Sequence, residues 1–129
     1  MKNTLFIASC ALLTVLLFVL GAKAEPSMAS PETTDPMTIA QGMNYCRTLI
    51  SVCDLKADGS TCGGDQYAGW WLPTAEELSH FVGLSTSQNY NWSRTPFTQE
   101  LDTYIIMSLL DGSWGYGGYG NAAVVRCVR

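Results

Sequence analysis

Cysteine is the residue type with the plainest chemistry in this chain. One of the five cysteines, Cys10, lies in the apolar N-terminal stretch, which leaves Cys46, Cys53, Cys62 and Cys127. An even number of cysteines in a small exported domain predicts two disulfide bonds. Zinc is the alternative, but zinc ligands usually come in close C-x-x-C pairs, and the spacings here are 7, 9 and 65. We therefore expect disulfides and no metal.

Catalytic chemistry finds little support in the other residues. His80 is the single histidine, and an isolated histidine on a helix face is usually a surface or half-buried residue. No serine lies in a nucleophile elbow, and cysteine catalysis needs a free thiol. Glu100 and Asp102 could pair as carboxylates, but the sequence does not place them in space. We predict no catalytic residue and no cofactor.

An acidic, glycine-rich loop runs from Cys53 to Asp65. Positions 1, 5, 6 and 12 of the calcium-binding loop pattern are occupied by Asp54, Asp58, Gly59 and Asp65, respectively. Position 3 is Lys56, and position 12 is Asp where a bidentate Glu is usual. The favoured interpretation is a solvent-exposed loop closed by a disulfide bond, and calcium binding is the alternative.

A run of glycine and aromatic residues, GSWGYGGYG, occupies residues 112–120. It contains the pattern G-x-G-x-x-G, but a dinucleotide site needs a helix after the glycines, and a β-branched strand follows here. We expect a flexible glycine loop between strands. It is either a plain connection or a loop that binds a sugar or a partner through Trp114, Tyr116 and Tyr119.

The N-terminal 24 residues have the layout of a secretory signal peptide. Lys2 precedes an apolar run, Leu5–Leu20, and the small-x-small sequence Ala22–Ala24. An uncleaved membrane anchor is the alternative, although the run is short for a span. Removing residues 1–24 leaves five Lys and Arg against eleven Asp and Glu, a net charge of −6. This charge disfavours nucleic acid as a partner, and membrane contact is expected only through the signal segment if it stays uncleaved.

The rest of the chain predicts a proline-rich linker and one domain. Residues 25–37 hold three prolines and should form a flexible tether, followed by a domain over residues 38–129. Thr38 and Gln41 form a capping box. The helix predicted after it covers residues 39–50 and buries Ile39, Met43, Cys46 and Ile50.

The sequence GWWLPTAEEL, residues 69–78, predicts a second capped helix. Thr74 is the N-cap and Glu77 the third helical residue. Trp70 and Trp71 should point to opposite sides of an extended segment, so that one is buried and the other partly exposed. Strands are predicted around Trp92, over Thr103–Leu110 and over Ala122–Val128. Asn91-Trp92-Ser93 is a glycosylation sequon.

Four motifs resemble one bacterial family. They are Tyr45–Cys46, the GWWLPTAEEL block, Asn91–Ser93 and the terminal Val124–Arg129. Together they resemble the C-terminal domain family of the Legionella collagen-like protein, over about residues 40–129. The resemblance implies a C-type-lectin-like α+β fold, related to formylglycine-generating enzymes, with two short helices packed on a twisted antiparallel sheet.

The resemblance implies adhesion or ligand binding. Trp71 stands where the family has Arg, and Arg94 where it has Ser, so both join the three aromatic residues of 112–120 as candidate ligand contacts. We expect an exported, non-enzymatic domain that binds a glycan or surface protein, and the sequence leaves open whether it is a monomer or a homo-oligomer. A degenerate enzyme of the formylglycine-generating superfold and a structural subunit of a surface assembly are the alternatives.

The disulfide pairing expected from these considerations is Cys46–Cys127 with Cys53–Cys62. Cys53 and Cys62 bracket a short loop, and in the fold that the resemblance implies the first helix packs against the final strand. Sequence alone leaves the other two pairings of four cysteines open.

Overall fold

A computed structural model describes residues 25–129, and the predicted signal peptide, residues 1–24, lies outside the described residues. The described chain is a small α+β domain. Its elements in chain order are β1 (Met28–Ala29), α1 (Ile39–Thr48), β2 (Ser51–Val52), β3 (Leu55–Lys56), β4 (Gln66–Tyr67), α2 (Ala75–Ser79), β5 (Tyr90–Pro96), β6 (Thr103–Ser108) and β7 (Trp114–Gly118).

Every pair of these strands is antiparallel. Strands β5, β6 and β7 form a three-stranded sheet in that order, whereas β1 pairs with β3 and β2 pairs with β4. The larger sheet carries apolar residues on both faces. Trp92 belongs to one core cluster, against which Ile106 packs, and Met107 packs against a second cluster around Leu78 and Phe81. Within residues 25–129, no helix is long and apolar enough to cross a bilayer.

Helix α1 begins where the capping box predicts and buries Ile39 and Cys46 as expected, but not Met43 or Ile50. The Thr38 hydroxyl accepts the Gln41 amide hydrogen, and the Gln41 side chain accepts that of Thr38. The buried residues are Ile39, Gly42 and Cys46, while Met43 is 42% exposed and Ile50 lies beyond the helix, 67% exposed. Gly42 takes the inner position because the closing segment approaches too closely for a side chain there.

The segment predicted to be a flexible tether is part of the folded domain. Ala29 and Ser30 are fully buried, and β1 pairs with β3. The Ser30 amide hydrogen is donated to the Cys127 carbonyl at 2.8 Å, and that of Met37 to the Ala123 carbonyl at 2.9 Å. The linker prediction is therefore wrong for these residues. Prolines do not prevent this pairing, because proline is compatible with extended backbone and with the edges of sheets.

The closing segment is extended but is not the regular strand predicted for Ala122–Val128. Its bridges reach four partners in different parts of the chain: Met37, Asn91, Trp71 and Ala29. Val125, Cys127 and Val128 are fully buried, and Cys127 is bonded to Cys46 on α1. The second disulfide joins Cys53 to Cys62. The expected pairing is thus confirmed, and two disulfides indicate an oxidising compartment.

Candidate ligand-binding site

The glycine and aromatic run is a strand, not the flexible loop that its composition predicts. Trp114–Gly118 forms β7 and pairs with β6 over its whole length. Gly115 and Gly117 face Ile106 and Trp92, and a Cβ atom on Gly117 would lie 2.8 Å from Cη2 of the Trp92 ring. The glycines therefore make room for a buried tryptophan, and the side chains between them point to the other face of the sheet.

Three aromatic rings meet on that other face. Tyr116 stacks on Phe97 with ring centroids 4.4 Å apart and planes 9° from parallel. Trp114 lies 6.0 Å from Phe97 at an angle of 54°. Trp114 is 57% exposed and Tyr116 49%, as expected for these residues relative to the buried Trp70 and Trp92. We call Phe97, Trp114 and Tyr116 the aromatic triad.

Sequence reasoning missed Phe97, which follows β5 at the start of the hairpin connection. Its amide hydrogen is donated to the Thr103 carbonyl at 2.9 Å, so the connection holds the ring over the sheet. A phenylalanine in a polar loop between two strands was the available signal, because such a residue has no core position of its own.

Tyr119, the third aromatic residue predicted to bind ligand, is not part of the triad. Its ring lies 5.8 Å from that of Tyr104, and the two hydroxyl oxygens are 3.2 Å apart. Tyr104 pairs with Gly117 and Ile105 with Tyr116, so Tyr104 points to the opposite face of the sheet from the triad. The hydrogen bond with Tyr104 raises the pKa of Tyr119 above its ordinary value.

A groove of about 500 Å³ lies beside Phe97 in the β5–β6 connection. Its walls are residues 96–104, and the loop ends on Asp102, which adopts the left-handed backbone conformation with φ of 56°. Leu101 is 92% exposed on its rim. The groove adds carboxylate and amide groups from Glu100, Asp102 and Gln99 next to the triad.

Trp71 and Arg94 converge on Glu77 and not on the triad. The Trp71 indole nitrogen lies 3.2 Å from both carboxylate oxygens of Glu77, and the Arg94 guanidinium lies 3.8 Å from Oε1. The same oxygen accepts the Thr74 amide hydrogen at 2.9 Å, which completes the capping box of α2. Arg94 Nε also donates to the Leu72 carbonyl at 3.0 Å. These contacts give both residues a structural role at the start of α2.

Two of the three carboxylates of the acidic loop, those of Asp54 and Asp58, accept hydrogen bonds from protein groups. Asp54 Oδ2 accepts a hydrogen bond from Arg126 at 2.6 Å. Asp58 accepts the amide and hydroxyl hydrogens of Ser60, and these bonds lower the pKa of Asp58. Gly59 follows with φ of 78° and closes the turn. Among residues 25–129, no group of three or more His, Cys, Asp and Glu side chains is placed to hold a metal ion.

Arg126 is the principal buried charge and was not singled out from the sequence. It is 3% exposed, and its guanidinium contacts Asp54, Glu32 at 3.3 Å and the Ser30 carbonyl at 3.0 Å. Glu32 and Ser30 belong to the N-terminal segment, so this ion pair fixes that segment to the closing one. No signal in the sequence indicates this burial, because an arginine next to a buried cysteine in a strand is predicted to point to the opposite, solvent-exposed face.

Two further sequence features have structural positions. His80 is the exposed C-cap of α2. Asn91, the sequon asparagine, is 1% exposed and donates its amide hydrogens to the Asn89 and Met107 carbonyls, so the folded domain does not present it for glycosylation.

Comparisons of the chain with protein-family models, with curated proteins and with solved structures find no match.

Proposed function

We propose that this protein is an exported, non-enzymatic binding domain of C-type-lectin-like type that recognises a glycan through the aromatic triad. The observation that carries the proposal is the stack of Phe97 on Tyr116 beside a tryptophan that is 57% exposed. Rings held rigidly in this way lose little conformational entropy when a ligand stacks on them. The resemblance to an adhesion domain family supports the same function.

The chemistry around the triad favours a glycan without sulfate or carboxylate groups. The residues from 25 to 129 carry a net charge of −6, which repels polyanions. Sugar hydroxyl groups and any amino groups would meet the polar side chains of the groove, Gln99, Glu100 and Asp102. The apolar face of a sugar ring would stack on Trp114 or Tyr116.

The proposal is tested with a glycan array probed by the exported protein, followed by affinity measurement on the best ligand. Trp114→Ala and Tyr116→Ala should each weaken binding by about 1–3 kcal/mol, the scale of one stacked aromatic residue. Tyr119→Ala is the matched control, because Tyr119 is equally exposed, at 54%, and belongs to the other face.

Three results would count against the proposal. Equal losses of affinity in all three variants would place the ligand elsewhere. Loss of thermal stability in Trp114→Ala without loss of affinity would make the triad part of the core. Binding to proteins and to no glycan would assign the surface to a protein partner.

A further inference from the structure

Strand β7 ends the three-stranded sheet, and β6 is its only neighbour among the strands of residues 25–129. The Ser108 amide hydrogen is donated to the Ser113 carbonyl at 2.9 Å. Antiparallel pairs alternate between hydrogen-bonded and non-hydrogen-bonded, so Gly115 and Gly117 bond to β6 in the same way. The backbone N–H and C=O groups of Trp114 and Tyr116 therefore point away from the sheet.

This free edge is short. At one end the Gly118 amide hydrogen is donated to Asn121 Oδ1 at 2.7 Å, and the Gly118 carbonyl accepts the Asn121 amide hydrogen at 3.1 Å. At the other end the strand begins at Trp114. Two donors and two acceptors therefore remain within β7, all on Trp114 and Tyr116.

Apart from its shortness, the edge lacks the features that normally prevent strands from pairing. Sheet edges are protected by charged residues, proline, bulges or a covering segment. Strand β7 contains no charged residue and no proline, and its register with β6 has no bulge. The side chains that flank its free groups are aromatic and about half exposed.

We infer that β7 pairs with β7 of a second copy of this chain, antiparallel and about a two-fold axis through Gly115. In this register Trp114 of one copy lies opposite Tyr116 of the other. The eight free groups of the two copies then form four hydrogen bonds in the dimer. The free groups are symmetric about Gly115, so one two-fold axis satisfies all of them. A second copy meets these requirements without any further component.

The pairing would join the two sheets into one of six strands. Residues directly opposite in an antiparallel pair point to the same face, so each Trp114 would contact Tyr116 of the other copy. The two aromatic triads would then form one continuous surface, with the axis at its centre. The inference does not depend on a glycan ligand, since the edge groups and the ring faces are different parts of the same residues.

The test is sedimentation equilibrium of the exported protein from micromolar to millimolar concentration, without ligand. The weight-average mass should rise towards that of a dimer. Tyr116→Ala removes the ring and keeps the N–H, whereas Tyr116→Pro also removes the N–H without breaking a bond to β6. Two hydrogen bonds are lost per dimer, so the proline variant should dimerise about 30-fold more weakly than the alanine variant.

Hydrogen exchange gives a second measurement that needs no variant. The amide hydrogens of Trp114 and Tyr116 should become protected as the protein concentration rises, while those of the exposed loop at Gly63 and Gly64 should not change. A wild-type protein that stays monomeric overturns the inference. So does a dimer in which these two amides exchange as fast as in the monomer, or one that both Tyr116 variants weaken equally.

Discussion

Replacing Gly117 with alanine should destabilise the domain, because the new methyl group would enter space that Trp92 occupies. A Cβ atom at this position lies 2.8 Å from Cη2 and 3.3 Å from Cζ3 of the Trp92 ring, whereas ordinary contact begins at 3.4 Å. The ring cannot move aside freely. Trp92 is fully buried, and its indole nitrogen donates to the Met37 carbonyl at 2.7 Å.

The expected loss follows from two opposing effects. Overpacking a well-packed core costs about 1–3 kcal/mol, and replacing glycine by alanine recovers about 0.4–1 kcal/mol by restricting the unfolded chain. We expect a net loss of about 1–2 kcal/mol in the free energy of unfolding. Gly115→Ala is the matched control, because its Cβ would meet Ile106 at 3.8 Å, an ordinary contact. That variant should be neutral or slightly more stable.

The measurement is urea unfolding of both variants with the disulfides intact. A Trp92→Phe background extends it, since the smaller ring removes the atoms that Gly117→Ala would strike, and the alanine should then cost less. Equal stability of Gly115→Ala and Gly117→Ala would refute the reasoning. So would a cost of Gly117→Ala that is unchanged when the Trp92 ring is shortened.

Two other perturbations have expected outcomes. Loss of the Cys46–Cys127 bond, which spans 81 residues, should lower the free energy of unfolding by about 4–5 kcal/mol. Loss of the Cys53–Cys62 bond, which spans 9 residues, should lower it by about 2–3 kcal/mol. Urea unfolding of the two double-alanine variants measures both losses, and equal losses would show that loop length does not matter. Arg126→Leu leaves the Glu32 carboxylate, whose side chain is only 12% exposed, without its cation and should lower the free energy of unfolding by about 3 kcal/mol. Thermal unfolding unchanged from wild type would contradict this.

Local signals in the sequence predicted the residues at which both helices begin. Both capping boxes form as expected, because they depend on side chains only three residues apart. The pairing of Cys46 with Cys127 also followed, with the help of a resemblance to a known family. Trp70 is buried and Trp71 only partly exposed, as the alternation of an extended segment predicts.

Features that depend on distant contacts were not predictable in this way. The N-terminal segment has the composition of a tether, yet it pairs with a closing segment almost a hundred residues away. The buried role of Arg126 depends on Glu32 and Asp54, which lie far from it in the chain. Phe97 joins the triad only because a hairpin connection folds it over the sheet. Composition describes a segment in isolation, and none of these contacts is local.

The pattern of β7 bears most directly on function. A strand on the surface of a domain normally places large apolar residues towards the core and small or polar ones outwards. Strand β7 does the reverse, with Gly115 and Gly117 inwards and Trp114 and Tyr116 outwards. Trp92 supplies from β5 the volume that β7 lacks, so the core does not need the outward rings. The exposure of the two rings therefore follows from the sequence of β7 and not from poor packing. A surface that contacts a ligand or a second copy requires apolar side chains exposed in this way.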